Sequence, residues 1–421
     1  MSFLRSLSAG VTGLRNHTLM MDVIGNNVAN INTIGFKGSR ITFSDMFSQT
    51  LRGASSGTDF SGGTNPMQIG LGASVNSLDT MFTQGGIELS GRGSDLAIQG
   101  TGFFVVNKNG KQLYTRVGTF ERDANGKLVL PGNGGILQGK LADALGNIPS
   151  GNTLEDLKID LDRKSPAKAT TLAKFSGNLD ASAATGDTTS ATVGIYDSQG
   201  NPISLSLNFT KSANPNEWTW TVNAPSPSTI TGGGTGTVTF NPDGSLNQFS
   251  YDGGATALGI TTGLGTDNLS IDLNVGTANE FSGITQNKGT MMVSAKDQNG
   301  YAAGELSTWD VDQNGFVNAS FSNGQVIRLG QVLLAEFSNP GGLMKSGESM
   351  YDVSANSGEP VVITAGGESR SAIAAGALEQ SNVDLPEEFT KMIVAQRGFQ
   401  SNARVITTSD EILNEVVNLK R

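Results

Sequence analysis

MSFLRSLSAGVTGLRNHTLMMDVIGNNVAN, residues 1–30, decides how the rest of the chain is read. Leu4, Leu7, Val11, Leu14, Met21 and Val28 fall on an a/d heptad, with Thr18 and Gly25 at its two weak positions. The spacing predicts an amphipathic α-helix, with Ser2 as its N-cap. The other end of the chain repeats the signal. Asp384-Leu385-Pro386-Glu387 offers an N-cap aspartate, Pro in the first turn and Glu three residues on. Phe389, Met392, Phe399, Ala403, Ile406, Leu413 and Val417 then continue one apolar stripe, and Val405, Ile412, Val416 and Leu419 form a second beside it. A helix apolar on two adjacent faces needs more than one neighbour. Gly10, Gly13, Gly25 and Gly398 lie inside these helices, each costing about 1 kcal/mol relative to Ala. Such helices are expected to order fully only when neighbours cover them. Two helices packed on one domain's own core is the plainer alternative.

Nearly everything between the ends reads as strand. Asn109-Gly110 separates Phe103-Phe104-Val105-Val106 from Leu113-Tyr114-Thr115, and Asn125-Gly126, Asp243-Gly244, Asp252-Gly253, Asn299-Gly300, Asn314-Gly315 and Asn323-Gly324 supply further hairpin signals. Alternation is clean in Leu205/Leu207/Phe209 and Trp218/Trp220/Val222. The expected fold is therefore mainly β with α-helical termini, in nested discontinuous domains. A terminal coiled-coil pair (1–30 with 376–421) is followed by an extended connector (31–90), loosest at 48–66. A discontinuous antiparallel β domain (91–150 and 286–375) then carries an inserted outer β domain (151–285).

Composition narrows the function. The 421 residues hold 56 Gly and no Cys, and only 16% are charged. Without cysteine there is no disulfide scaffold, thiolate metal site or Cys nucleophile. The net charge of −10 argues against nucleic acid and anionic membrane surfaces. Residues 151–285 hold 13 acids against 6 bases, whereas the first forty hold 4 bases against 1 acid, so the middle is expected to face water. No stretch approaches the roughly 20 apolar residues that span a bilayer. The N-terminus lacks an uninterrupted apolar h-region, which points to a cytoplasmic protein or to export without a cleaved signal.

Candidate chemistry is thin. Asp310-Val311-Asp312-Gln313-Asn314-Gly315 mimics the start of an EF-hand loop, but its twelfth position is Phe321 rather than a bidentate Glu. The Gly-rich runs 132–135 and 232–236 lack the GxGxxG and Walker patterns. His17 is the one histidine, with no nucleophile at a suggestive spacing, and nothing singles out a carboxylate pair. No catalytic residue, metal or cofactor is expected.

Residues 26–38 read Asn26-Asn27-Val28-Ala29-Asn30-Ile31-Asn32-Thr33-Ile34-Gly35-Phe36-Lys37-Gly38. This resembles the N-terminal signature of the flagellar rod and hook (axial protein) family, carried by Asn26, Asn27, Asn30, Asn32, Gly35, Phe36 and Lys37. Physically it is an Asn-rich exit from a helix, a Gly where φ reverses, then an aromatic anchor. Ile98–Val106, Tyr114–Phe120 with Asp123, Gly126 and Leu128, Leu137-Gln138-Gly139, Ala377–Val383 and Met392–Arg397 resemble the same family in order. Within it, Ile195–Asn201, Trp218/Trp220, Phe321–Gln331 and Asn339–Leu343 are similar to the hook branch, and rod proteins are generally shorter without a large insert.

The resemblance implies a structural, non-enzymatic subunit, exported by the flagellum's own type III system and polymerising into a curved, flexible tube. That tube would act as a universal joint carrying torque from rod to filament. It also implies partners: copies of itself, the flagellar rod, the hook cap, the hook–filament junction and hook-length-control proteins, and the export apparatus. A distal rod protein of the same family, or a secreted β-rich adhesin or carbohydrate-binding protein, are the alternatives.

Overall fold

Both ends of the chain are helical in a computed structural model. It describes residues 2–57, 62–367 and 371–418, with only the backbone of Ser2, Phe3, Leu4 and Val416. Helix α1 is Ser2–Ala29 and helix α2 is Leu385–Asn418. The expected Ser2 cap, the Leu4 side chain and Leu419 lie outside the described residues. At the start of α2 the Asp384 carboxylate accepts from the Glu387 N–H at 3.2 Å, satisfying one of the donors a helix leaves open. The two helices pack together, and strands fill most of what lies between them.

After α1 the chain forms an antiparallel ribbon. Ser39–Asp45 pairs with Ala73–Thr80, and Ser48–Arg52 pairs with Met67–Gly70 further out. Few of its residues are buried, which is why no alternation marks it in the sequence.

The chain divides into two compact units, the helices and the ribbon belonging to the first. The first comprises residues 1–160, 309–318 and 328–421. At its centre the strand Phe103–Lys108 pairs antiparallel with Lys111–Thr115, with Ile136–Leu141 and with the end of Val326–Glu336. Phe103, Tyr114, Phe337 and Tyr351 meet edge to face in its core, Tyr114 and Phe337 at 4.8 Å between centroids. The hairpin turns on Asn109 (φ 55°) and Gly110 (φ 80°), the left-handed pair that matches strand twist.

The second unit comprises 161–308 and 319–327. One sheet runs Thr188–Tyr196, Pro202–Lys211, Glu217–Asn223, Thr235–Phe240, Leu246–Tyr251, all antiparallel neighbours. In the other, Leu172–Asn178 pairs parallel with Leu269–Asn274 and antiparallel with Met292–Gln298. Alternation cannot report strand direction; here a long excursion of chain separates the parallel partners. The core is one continuous cluster around Trp218 and Trp220, both fully buried.

The Asp-x-x-Gly turns share a device. Asp123, Asp143, Asp197 and Asp312 each accept backbone N–H donors two and four residues on. The Asp312 carboxylate is thus committed to its own turn, which accounts for the EF-hand-like string. Asp252-Gly253 instead forms a single 3₁₀ turn that ends a strand, because the chain there leaves for the other sheet.

Candidate self-assembly surface

Four contacts set how α1 and α2 meet. A Cβ on Gly10 would stand 3.3 Å from Ile406 Cγ1, one on Gly13 2.7 Å from Asn402 Oδ1, and one on Gly398 2.5 Å from the His17 ring. Further along, the Asn27 amide donates to Glu388 Oε2 at 3.0 Å. Moving up α1 from Gly10 to Asn27 moves steadily down α2 from Ile406 to Glu388, so the helices run antiparallel in one register. Three of the four helix glycines therefore sit where the facing side chain fills the space of a missing Cβ; around Gly25 the space is open. The cost in helix propensity is offset by close approach of the two backbones.

This seam is made mostly of small and polar residues, with Ile24 and Ile406 as apolar members. On α1 it uses Gly10, Gly13, His17, Ile24 and Asn27; on α2, Glu388, Ala395, Gly398, Asn402 and Ser409, most of them buried. The apolar stripes read from the sequence flank this seam and touch it at Ile406 and Val405, which both face Gly10. Leu7, Leu14, Met21 and Val28 are half-buried and Val11 is 51% exposed. On α2, Met392, Phe399 and Ile406 are half-buried, whereas Phe389, Leu413 and Val417 are exposed, Val417 at 67%. Val405 and Ile412, on the second stripe, are exposed as well. The ribbon occupies the flank of α1 opposite its stripe: Arg5 donates to Gln49, Gly72 sits on Thr12, and Asn16 donates to the Ala73 carbonyl. The helix pair thus keeps polar groups inside and much of its apolar surface outside.

Polar fasteners tie the helices to the β structure. Asn27 brackets Ser39, accepting from its N–H at 2.9 Å and donating to its carbonyl at 2.8 Å. Asn30 donates back to Asn26 and accepts from Thr33, closing the helix exit, while Asn32 is exposed. Gly35 has φ 66° and lies against the Arg116 backbone, where a Cβ would stand 2.8 Å away; its N–H donates to the Glu379 carbonyl. Phe36 takes the Lys345 ammonium over its ring at 5.5 Å.

Lys37 enters a buried charge cluster. Its ammonium lies 2.7 Å from Glu379 Oε1 and 2.7 Å from the Thr83 carbonyl, with neither side chain of the ion pair exposed. Arg116 Nη1 donates to Glu379 Oε2 at 3.2 Å and Nη2 to the Gly100 carbonyl at 2.7 Å. Gly85 N–H completes the set on Oε1 at 2.9 Å. Burial pushes both the Lys37 and the Arg116 values down, and Glu379 opposes it in each case. One carboxylate against two cations makes the cluster strongly dependent on that carboxylate. Sequence reasoning placed Lys37 in a motif; Arg116 and Glu379 were legible only as members of separate resemblances, because the contact spans 342 positions.

Among the described residues no helix is long and apolar enough to cross a membrane. No group of three or more His, Asp or Glu that could hold a metal is found among them either.

Comparison with known proteins follows the same layout. Residues 7–37 match the flagella basal body rod protein family model, and 97–165 the D1 domain of the flagellar hook protein FlgE/F/G model. Residues 160–301 match the D2 domain of the flagellar basal body protein FlaE model, and 374–419 the C-terminal model of flagellar basal body rod FlgEFG protein. The chain is 40% identical to the flagellar hook protein FlgE of Borreliella burgdorferi, covering 99% of this chain and 100% of that one. It is 37% identical to FlgE of Treponema pallidum over the same shares. The flagellar basal-body rod protein FlgG of Bacillus subtilis is 31% identical, again over 99% and 100%. With identity of this level running end to end, and with both the signature and the terminal helices inside the matched segments, the chain belongs to the flagellar hook protein family.

Proposed function

We propose that this chain is a hook subunit that builds a tube from copies of itself, using the helix pair as the adhesive layer. The observation that carries the reading is the partly inverted pair: α1 and α2 meet largely through glycine, asparagine, histidine and glutamate, with Ile406 among them, and leave Val11, Phe389, Leu413 and Val417 in the open. Apolar residues placed at helical spacing and left uncovered are stabilised by removal from water, at roughly 25 cal/mol per Å². An open polymer needs contacts that repeat without closing. In this reading the stripe of one copy packs on the helices of the next, and the helices line a central channel. The β units of neighbouring copies then slide past one another as the tube bends, with the ribbon at 39–80 limiting the travel. The role is structural rather than catalytic. The rod, the cap, the junction and length-control proteins and the export apparatus are its further partners.

The rod reading shares the end-to-end similarity, but the hook-named relatives of Borreliella burgdorferi and Treponema pallidum, at 40% and 37%, are more similar to this chain than the rod-named one at 31%. Electron microscopy of the purified chain under polymerising conditions tests the proposal. Curved tubes are expected from the full chain, and no assembly from a chain lacking 1–30 and 385–421. Straight stiff tubes would favour the rod, and tubes from the trimmed chain would end the proposal.

A further inference from the structure

The segment 372–382 closes the first unit by threading between parts of the chain nearly three hundred positions earlier. Ala372–Ala375 pairs with Leu96–Gln99, and Ala377–Glu379 with Ile87–Leu89. The Asn382 amide donates to the Met81 carbonyl at 2.8 Å and accepts from the Gly38 N–H at 2.9 Å. In its middle stands Glu379, the one carboxylate among the described residues that pairs with Lys37 or Arg116. Every other partner in the cluster precedes it by at least 263 positions.

The consequence concerns order of folding. Without Glu379, closing the sheet over Phe103 would bury Lys37 beside Arg116 with only the Thr83 and Gly100 carbonyls as acceptors. Arg116 also lies over the Phe103 ring at 5.1 Å, so the guanidinium is part of that core and cannot swing out while the core is formed. Closure without the counter-charge would leave Arg116 buried and charged and would force Lys37 either to stay charged beside it or to give up its proton, and each of these opposes closure. We propose that Glu379 is a folding latch: the first unit stays open until the C-terminal segment delivers this carboxylate, and the base of α1, the sheet around Phe103 and the start of α2 then order together. The second unit, whose core contains none of these residues, folds without waiting.

Pulse-labelled hydrogen exchange on the refolding full chain tests this. Amides of Phe103–Val106 should gain protection in the same phase as Ala377–Glu379, and after those of Leu205–Phe209. In Glu379→Gln, native-state protection of Phe103–Val106 should fall at least about 100-fold while that of Leu205–Phe209 is unchanged. The triple variant Lys37→Met, Arg116→Met, Glu379→Met, which removes all three charges, should recover most of it. Protection of Phe103–Val106 ahead of Ala377–Glu379 would overturn the latch, as would wild-type protection in Glu379→Gln. So would a triple variant as open as Glu379→Gln, since strand pairing rather than charge would then set the order.

Discussion

The inserted unit and the terminal helix pair solve the same problem in opposite ways. In the unit around Trp218, strands such as Pro202–Lys211 send every second side chain into one closed core and the alternate ones to solvent. In the helix pair the meeting surface is Gly10, Gly13, His17, Asn402, Ile406 and Glu388, while Val11, Phe389, Leu413 and Val417 of the apolar stripe are exposed. The first arrangement is complete in one copy. The second is half a core, and the difference shows that hydrophobic patterning reports which residues seek burial without saying whether one's own chain supplies the cover.

The comparison can be broken at either side. Trp218→Ala empties a closed core and should cost about 3–5 kcal/mol in urea unfolding of the inserted unit, leaving the helices' circular dichroism unchanged. A global loss of structure would show that the unit does not stand by itself. On the helical side, Gly13→Leu and Gly398→Leu drive a side chain into Asn402 and into the His17 ring. Each should cost about 1–3 kcal/mol, read as lost helicity with the inserted unit's unfolding unaffected. Gly25→Ala, where nothing lies within 4 Å, should instead stabilise α1 slightly, by roughly 1 kcal/mol or less.

The smallest effect is in the turns. Donors from Asn147 hold the Asp143 carboxyl below its usual range, and those of Ser245 do the same for Asp243. At Asp197 burial works the other way, yet donors from Asn201 and Gln199 outweigh it. A carboxyl whose folded value lies below its unfolded one stabilises the fold fully above about pH 4 and loses that contribution as pH falls through the folded value. The urea midpoint of the inserted unit should accordingly drop below pH 4, and Asp197→Asn should show a smaller drop. A midpoint flat from pH 5 to 2 would contradict the turn assignment.

Much of this layout was legible from residues alone. The a/d spacing located both helices, NG pairs located the hairpin at Asn109-Gly110, and the alternation at 205–209 and 218–222 located the main strands of the inserted unit. The helix seam was not legible. Most of its residues are small or polar, so their burial leaves little apolar signal, and the glycines read as weak points although three are points of closest contact. Nor was the Glu379 cluster, whose members lie far apart in sequence and whose charges suggest solvent until their partners are seen. The ribbon was hidden for a third reason: an exposed ladder is held by backbone bonds, which any side chain permits.

The claim that the outward stripe belongs to other copies is tested most directly by Phe389→Ser combined with Val417→Ser, measured by sedimentation alongside thermal unfolding. The account predicts a monomer as stable as wild type to within about 0.5 kcal/mol and a critical concentration for assembly raised at least about tenfold. Assembly at the wild-type concentration, or a monomer that loses its helices, would show that these side chains serve the subunit's own fold.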